Sequence, residues 1–474
     1  MLERTDMRAY QTRGTAFVKA QLKRGLGAAL LIDMGLGKTI ISMTALADLL
    51  EEGTVNRVLL VGPLRVVMGV WRQEARKWGH TRHLSFKLIH GDETKRLRAL
   101  ESDAQIHLIN PENLPWLLQV LKTRRKRDGW PYDTLFVDES SMFKTPGSKR
   151  FTALRPYLRH FKHRVIMTGT FAPKGLLDVW SQVYILDQGE RLGQTVSSYR
   201  SRFFSPSGYM GYGHTADEGA AEKVLSLISP IALTMRAEDW LDLPAVLEQT
   251  VYVDLPPTAA RQYTQLEKDM YLELEKGNAE ALSAASLSSK CWQLANGALI
   301  VEAPDGQKVW QPMHDAKLDA LQEILDGTSE NVLVAYWFKS DLARLRKAYP
   351  KAPCIADARN PAALERLQDE WNAGKHRVMF IHPQGGGHGL NLQGGGNEMV
   401  FFSMLWGREA YAQVRERMGA SRQIGRRDCV RYKYIVCRGT VDEVMLATQR
   451  QRHHNERTYV RMLKEYREVR ELLT

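Results

Sequence analysis

Residues 28–39 have the sequence Ala-Ala-Leu-Leu-Ile-Asp-Met-Gly-Leu-Gly-Lys-Thr, an apolar run followed by two glycines, a lysine and a threonine. The run predicts a buried strand, and the window Thr39–Glu51 predicts a helix. Glycines between a strand and a helix let backbone N–H groups turn toward an anion, which the helix N-terminus also favours. This stretch therefore predicts a phosphate-binding loop in an α/β fold.

The side chains of this loop and of a later acidic pair predict a site for ATP and Mg²⁺. Lys38 is expected to reach the β- and γ-phosphates, and the Thr39 hydroxyl to bind Mg²⁺. Asp138 and Glu139 end a later apolar strand, and ligands of open α/β sheets bind at the carboxyl ends of strands. We expect Asp138 to hold Mg²⁺ through water and Glu139 to orient and deprotonate the attacking water.

Short apolar segments alternate with helical windows in the first half of the chain, and the alternation returns in the last third. Alternation of this kind predicts parallel sheets covered by helices on both faces. The expected fold class is α/β, with two parallel-sheet lobes separated by helical insertions. The predicted strands are Ala28–Asp33, Arg57–Gly62, Ile106–Asn110, Thr134–Asp138, Arg164–Thr168, Val251–Leu255, Val332–Tyr336, Val378–His382, Met399–Phe402 and Tyr432–Val436.

The domain boundaries follow from where this alternation stops and resumes. The first lobe is expected at 1–255, with a helical insertion at about 187–240. Residues 256–327 are expected to form a helical insertion or linker. The second lobe is expected at 328–474 and ends in a basic helix.

Composition excludes several classes of protein. No uninterrupted apolar stretch of the 474 residues approaches the about 20 that a membrane-spanning helix needs. The N-terminal residues Met-Leu-Glu-Arg-Thr-Asp lack the apolar core of a signal peptide. The four cysteines lie far apart without a Cys-x-x-Cys pair, which argues against a zinc site or a disulfide framework. We expect the protein to work in a reducing cytoplasm.

The formal net charge of +12 and the pI near 9.4 indicate a polyanionic partner, most commonly nucleic acid. The sharpest basic cluster is the run Lys122–Arg127, which contributes Arg124, Arg125, Lys126 and Arg127. A solvated surface is the alternative interpretation of this run.

Taken together, the motifs resemble those of the superfamily-two helicases and, within them, the Swi/Snf-like DNA-dependent ATPases. Met34–Thr39 matches the family's phosphate loop letter for letter, and Asp138–Ser141 replaces the commoner Asp-Glu-Ala-His. This variant and the compact length resemble the bacteriophage-type members. Further matching segments are Arg8–Gln11, Gly62–Leu64 with Trp71, Glu74 and Trp78, Thr168–Thr170, Arg236 with Asp239 and Leu243-Pro244, Gln262-Tyr263, Gly387–Gln393, and Gln413 with Arg417.

The resemblance implies two RecA-like lobes with ATP between them, and it assigns roles to further residues. Gln11 would recognise adenine, and Gly35, Leu36 and Gly37 would surround the phosphates. An arginine of the second lobe would stabilise the transferring phosphoryl group; we favour Arg422, with Arg417 as its partner, because the usual second arginine is replaced by Ala420. The residues implied to couple hydrolysis to motion are Thr168, Gly169, Thr170, Gly389, Asn391 and Gln413. A motor of this kind would bind DNA phosphates, for which the further candidate contacts are Arg65, Asn110 and Lys144.

The expected function is that of an ATP-driven motor that moves on duplex DNA without sequence preference. Two alternatives stay open from the residues. A strand-separating DNA or RNA helicase would use the same motor. A nucleotide-dependent scaffold without hydrolysis is disfavoured because Lys38, Thr39, Asp138 and Glu139 are all present.

Overall fold

The computed structural model describes residues 1–173, 175–207, 213–276, 281–302, 307–358, 360–383 and 390–451, with the side chains at 126–128, 270–276, 281–287, 308 and 361 excepted. The chain forms two compact units, Met1–Leu241 and Asp242–Gln451. Each unit is built on its own parallel sheet. The predicted fold class, two parallel α/β lobes, is therefore confirmed.

The first unit contains a seven-stranded sheet with strand order β3-β4-β2-β5-β6-β1-β9, in which every neighbouring pair is parallel. Its central strands are buried along almost their whole length, because helices cover both faces of the sheet. The five strands predicted for this unit are confirmed to within a residue at each end. The strands are β1 (Ala28–Ile32), β2 (Val58–Val61), β3 (Phe86–Ile89), β4 (Ile106–Ile109), β5 (Thr134–Asp138), β6 (His163–Thr168) and β9 (Ala232–Met235).

Ten α-helices lie among the described residues of the first unit. Helix α3 continues directly from a π-helical segment, Val66–Val70. The helices are α1 (Ala9–Lys23), α2 (Lys38–Glu51), α3 (Trp71–Lys77), α4 (Glu93–Leu100), α5 (Leu114–Asp128), α6 (Lys149–Leu154), α7 (Val179–Asp187), α8 (Val196–Phe203), α9 (Ala220–Ile228) and α10 (Ala237–Trp240).

Two strands of this sheet were not predicted. Strand β3 lies at one edge of the sheet and is only partly buried, so its apolar pattern is short and weak. Strand β9 is buried beside β1, with Ala29 opposite Ala232, although its segment was expected to be helical. That segment also contains an antiparallel hairpin of β7 (Phe204–Ser207) and β8 (Gly213–Ala216).

The second unit contains a five-stranded parallel sheet with the order β10-β16-β15-β13-β14. A separate hairpin joins β11 (Ala298–Glu302) to β12 (Lys308–Pro312), within the segment 256–327 that was expected to form a helical insertion or linker. The sheet strands are β10 (Ala245–Val253), β13 (Val332–Ala335), β14 (Val378–Ile381), β15 (Glu398–Phe401) and β16 (Cys429–Cys437). The helices are α11 (Pro257–Lys276), α12 (Ala281–Ala295), α13 (Ala316–Asp326), α14 (Lys339–Ala348), α15 (Pro361–Asn372), α16 (Arg408–Arg415) and α17 (Ala420–Gln423).

The pairing of strand β10 places the boundary between the units earlier in the chain than predicted. The prediction placed residues up to 255 in the first lobe, but β10 pairs with β16 over nine residues, from Ala245 opposite Cys429 to Val253 opposite Cys437. This long ladder makes 242–255 part of the second unit, and the predicted boundary at 255 is wrong. Local apolar pattern identifies a strand but does not select its partner.

The predicted basic C-terminal helix is described only in part. Residues 441–451 are helical, and the remainder of the predicted helix lies outside the described residues. Among the helices that the structure describes, none combines the length and the apolar character that crossing a membrane requires.

Candidate active site

The phosphate loop lies between β1 and α2 in the backbone conformation that its glycines permit. Gly35 and Gly37 have φ angles of 88° and 82°, in the left-handed region that side chains disfavour. Gly37 is the N-cap of α2, and a Cβ added there would lie 2.6 Å from Nε2 of Gln11. Lys38 Nζ donates to the backbone oxygens of Ile32, at 2.6 Å, and Asp33, at 3.3 Å. The loop is thus shaped for close backbone approach to an anion.

Gln11 is brought to this loop from α1. Its Nε2 donates to the Leu36 backbone oxygen at 3.4 Å, and its Oε1 accepts the backbone N–H of Arg8 at 3.0 Å. These two bonds orient the amide along the loop. The predicted nucleotide-binding residues Gln11, Gly35, Leu36, Gly37, Lys38 and Thr39 therefore lie together.

Asp33, the residue before the loop, anchors it to the segment that follows β9. Its backbone N–H donates to the Met235 oxygen at 3.0 Å, and its Oδ2 accepts the backbone N–H of Ala237 at 3.0 Å. Burial raises the pKa of Asp33, while the Ala237 bond and the charges of Lys38 and Arg236 oppose the rise. The loop is therefore fixed from the α10 side by a residue that the sequence analysis left without a role.

Asp138 lies at the carboxyl end of β5, close to the neighbouring Gly62. Its Oδ2 accepts the indole N–H of Trp71 at 2.9 Å, and a Cβ added at Gly62 would lie 3.2 Å from the Asp138 Cβ. Burial raises the pKa of Asp138, and the Trp71 bond and the charge of Lys38 oppose the rise. A nearby cation such as Mg²⁺ would stabilise the ionised form further.

Glu139 has a strained backbone and a side chain fixed by two hydroxyl groups. Its φ of 61° is one of two positive values among the described non-glycine residues. Its Oε1 accepts hydrogen bonds from Thr168 Oγ1 at 2.6 Å and from Ser141 Oγ at 2.7 Å. Residues in such backbone conformations cluster at active sites, and the two hydroxyls fix the direction in which this buried carboxylate can act.

The Thr168–Thr170 segment lies between this acidic pair and the phosphate loop. A Cβ added at Gly169 would lie 3.1 Å from Met34 Cγ and 3.5 Å from Lys38 Nζ. The backbone N–H of Thr170 donates to Thr168 Oγ1 at 2.9 Å. The segment expected to couple hydrolysis to motion therefore contacts the phosphate loop and the acidic pair directly.

Gln182 joins the loops that follow Glu139 and Thr170, and the sequence analysis missed it. From α7, its Oε1 accepts Ser140 Oγ–H at 2.7 Å, and its Nε2 donates to the Phe171 oxygen at 2.7 Å. The second amide proton goes to the Asp178 oxygen at 2.8 Å. Gln182 is fully buried. The available signal was one amide in the largely apolar helical segment Val-Trp-Ser-Gln-Val-Tyr-Ile-Leu.

In the second unit, the two candidate arginines converge on one carbonyl. Arg417 Nη1 donates to the Leu390 oxygen at 3.2 Å, and Arg422 Nη1 donates to the same oxygen at 3.1 Å and to Asn391 Oδ1 at 2.8 Å. Burial lowers the pKa of Arg422. Gln413 is buried on α16, whereas Gly389 lies outside the described residues. Arg417, Arg422 and Asn391 thus form one cluster.

Three of the candidate DNA contacts lie beyond the carboxyl ends of strands in the first sheet, on the same side of the sheet as the phosphate loop. Arg65, Asn110 and Lys144 follow the carboxyl ends of β2, β4 and β5. Arg65 is exposed, and its pKa is lowered by partial burial of the guanidinium. Asn110 is buried, and its amide bonds locally to Glu112 and Asn113. Arg65 is therefore the more accessible of these two side chains.

The basic run Lys122–Arg127 lies near the amino ends of the strands. Helix α5 leads from the carboxyl end of β4 to the amino end of β5, and the run lies in its last turns. Arg124 pairs with Glu101 at 3.6 Å, and Arg125 Nη1 lies 3.0 Å from His160 Nε2. The side chains of Lys126 and Arg127 are outside the described residues. The run is separated by the length of the strands from the phosphate loop.

The protein ligands for a metal are few. Within the described ranges, no three His, Cys, Asp or Glu side chains converge on one point. Magnesium at phosphates is ordinarily bound by one or two protein oxygens together with phosphate and water. Thr39, at the start of α2, and Asp138 offer oxygens of that kind beside the loop. All four cysteines are free thiols.

Comparison with known proteins identifies the family. Phage protein p41, from the Acyrthosiphon pisum secondary endosymbiont phage 1, is 39% identical over 87% of this chain and 90% of its own length. The Arabidopsis thaliana "Probable ATP-dependent DNA helicase CHR12" is 23% identical over 95% of this chain, which spans 42% of that protein. The human "DNA excision repair protein ERCC-6-like" is 27% identical over 48% of this chain, which spans 19% of that protein.

Among solved structures, the Sulfolobus solfataricus SWI2/SNF2 ATPase core in complex with dsDNA is 21% identical, with a TM-score of 0.45, and the match covers 98% of this chain and 96% of that one. The family model described as "SNF2-related domain" matches residues 10–296. That range is more than half of the 474 residues, and it contains the phosphate loop, the acidic pair and the Thr-Gly-Thr segment. This chain therefore belongs to the family of the SNF2-related domain.

Proposed function

We propose that this chain is a DNA-dependent ATPase that uses hydrolysis to move along duplex DNA. The observation that carries the proposal is the position of Glu139. Its carboxylate is fixed by Thr168 and Ser141 next to a loop that is shaped for phosphates. A carboxylate fixed beside a phosphate-binding loop suits activation of water for attack on a phosphoryl group.

Each residue around the loop has one role in this proposal. The amides after Gly35 and at the start of α2 bind phosphate oxygens, and Lys38 releases its backbone acceptors to reach the β- and γ-phosphates. Thr39 and Asp138 would hold Mg²⁺, which would neutralise charge on the phosphate oxygens. The buried Asp138 fits a cation, because burial raises its pKa and a nearby positive charge would stabilise its ionised form.

Glu139 accepts the proton of the attacking water and orients that water for attack. Thr168 and Ser141 act as positioning residues, since each donates to the same carboxylate oxygen and so fixes the direction of the Glu139 side chain. Arg422 of the second unit stabilises the charge on the transferring phosphoryl group, with Arg417 as its partner. Both general base and arginine are then needed, so hydrolysis requires both units of the chain.

Duplex DNA, recognised without sequence preference, is the proposed track. The net charge of +12 favours a polyanionic partner. The candidate contacts Arg65, Asn110 and Lys144 follow the carboxyl ends of their strands, as the phosphate loop does. Contacts to phosphates position a protein but carry no sequence information. The similarity to a phage protein supports action in phage or bacterial DNA metabolism, in the cytoplasm of the host.

The proposal is tested by measuring ATP turnover with blunt duplex DNA, single-stranded DNA and RNA side by side. We expect duplex DNA to stimulate turnover most, and Glu139→Gln to bind ATP normally while hydrolysing it at least about 100-fold more slowly. Stimulation by single strands alone would favour a strand-separating helicase. Full turnover by Glu139→Gln would refute the assignment of the general base.

Movement itself requires a separate readout. A third DNA strand paired to the duplex is displaced by a protein that translocates along it, without any opening of the duplex. We expect ATP-dependent displacement by the wild-type chain and none by Glu139→Gln. DNA-stimulated turnover without displacement would leave an ATPase that does not move.

A further inference from the structure

Trp240 is an aromatic side chain that the site described above does not use. It is 39% exposed, whereas Trp71, Trp180 and Trp371 are at most 1% exposed. Single exposed apolar residues are common on protein surfaces, so exposure alone implies nothing. What distinguishes Trp240 from such residues is its position near the phosphate loop.

Trp240 is held near the loop from two directions. It lies three residues, or about one helical turn, after Ala237, whose N–H donates to Asp33 at the start of the loop. Its ring centroid is 5.7 Å from that of Tyr10, a buried residue next to Gln11 in α1. Tyr10 is next to Gln11, and the Gln11 amide bonds to Leu36 within the loop. Trp240 and Gln11 are therefore expected on the same side of the phosphate loop.

The chemistry of this flank suits a nucleobase. Phosphates occupy the backbone amides and Lys38, so the base of a bound nucleotide must lie outside the loop. An amide such as Gln11 offers both a donor and an acceptor to the edge of a purine. An exposed indole offers a flat apolar face, and stacking on aromatic rings is a general way in which proteins bind bases.

We propose that Trp240 stacks on the base of the bound nucleotide and, with Gln11, forms the base-recognition part of the site. This inference rests on the proposed function, since it requires that the loop binds a nucleoside triphosphate. It adds a residue that binds the base and takes no part in the chemistry at the γ-phosphate.

The experiment compares ATP with inorganic tripolyphosphate, which presents phosphates without a base. Dissociation constants of both are measured by displacement of a ribose-labelled fluorescent ADP from the full chain. We expect Trp240→Ala to raise the constant for ATP about 5- to 150-fold, the range that one stacked base contributes, and to leave that for tripolyphosphate unchanged. Trp240→Phe, which keeps an aromatic face, should retain most of the ATP affinity.

Two controls separate this inference from loss of fold and from loss of the proposed function. Trp310→Ala removes a comparably exposed indole, at 42%, from the β11–β12 hairpin and should change neither constant. ATP, but not tripolyphosphate, should also quench tryptophan fluorescence, and Trp240→Phe should remove that quench. Equal effects of Trp240→Ala on both ligands, or no effect and no quench, would overturn the inference. A wild-type chain that binds neither ligand would instead refute the proposed function.

Discussion

Thr168 Oγ1 lies 2.6 Å from Glu139 Oε1, so the end of β6 is bonded to the acidic pair at the end of the adjacent β5. The same Thr168 oxygen accepts the backbone N–H of Thr170. A shift of the Thr-Gly-Thr segment would therefore move the donor that orients Glu139. This contact gives a physical route by which movement of one loop can change the rate of hydrolysis at the other.

Replacing Thr168 by valine should slow hydrolysis without weakening ATP binding. A hydrogen bond to a charged group contributes about 1.5–3 kcal/mol, which corresponds to a loss in kcat of roughly 10- to 150-fold. Thr168→Ser keeps the hydroxyl and is the matched control. Steady-state turnover and an equilibrium ATP titration check the prediction, and equal losses in both variants would contradict it.

Replacing Gln182 by methionine should lower kcat and leave KM for ATP nearly unchanged. The variant keeps the length of the side chain but leaves Ser140 Oγ and the Phe171 oxygen without their partner, so the loops on either side of the acidic pair lose their connection. Each buried group left unpaired costs about 1–3 kcal/mol, so the free energy of unfolding should fall as well.

A double-mutant cycle separates positioning from mere destabilisation. Ser140→Ala removes only the connection to the acidic loop. If Gln182 acts through Ser140, adding Ser140→Ala to Gln182→Met should change kcat little further. Additive losses in kcat would mean that the two residues act independently.

Replacing Asp138 by asparagine should abolish Mg²⁺-dependent turnover and stabilise the protein without nucleotide at high pH. Burial raises the pKa of Asp138 in the folded state, so ionisation opposes folding once the pH exceeds the unfolded value. The gain in the free energy of unfolding should be absent below the unfolded pKa. It should grow by about 1.4 kcal/mol per pH unit as the pH rises toward the folded pKa. Thermal unfolding from pH 4 to pH 8 measures it, and an equal gain at every pH would contradict the assignment.

Replacing Arg422 by alanine should reduce kcat about 10³- to 10⁵-fold, the contribution typical of an arginine that stabilises the transferring phosphoryl group. ATP affinity should change little. Arg417→Ala, which removes the other guanidinium bonded to the Leu390 oxygen, is the comparison variant. A much larger effect of Arg417→Ala would show that Arg417, and not Arg422, is the catalytic arginine.

Replacing Arg124, Arg125, Lys126 and Arg127 together by serine should weaken DNA binding only partly. With about five neutralised phosphates, log affinity should fall with log salt at a slope near −4 to −5, and the variant should reduce that slope by one or two units. The reason is that the run lies near the amino ends of the strands, whereas the phosphate loop lies at their carboxyl ends. Arg65→Ser is a single-contact reference. Abolished binding would make the run the principal DNA contact.

The sequence predicts most of the buried strands and the residues of the phosphate loop, because both depend on local pattern. Ala28–Ile32 is apolar at every position and buried at every position. The glycines at 35 and 37 have the backbone angles for which glycine is needed. By contrast, β3 is half exposed and β10 carries no local mark of its partner β16.

The contacts that organise the site are less predictable, since each joins residues far apart in the chain. Gln182 meets Ser140 across 42 positions, and Asp33 meets Ala237 across 204. A buried amide in an apolar helix shows that a polar partner must exist, but the sequence does not identify that partner. The positive φ of Glu139 likewise leaves no mark in the sequence, because glutamate is not a residue that favours it.

The place of β1 in its sheet has a consequence for the order in which the chain folds. Its two neighbours are β6 and β9, so the strand that leads into the phosphate loop has no sheet partner until residue 163 and lacks its second one until residue 232. During synthesis domains generally fold as units, the N-terminal one first, and contacts between residues far apart in the chain form slowly. During synthesis, the nucleotide site is therefore among the last parts of the first unit to be completed, although its loop is among the first parts to be made.

An N-terminal fragment that ends before β9 should emerge with β2, β4 and β5 able to pair but without a competent phosphate loop. The nascent chain would thus be protected from binding or consuming ATP before its first unit is whole.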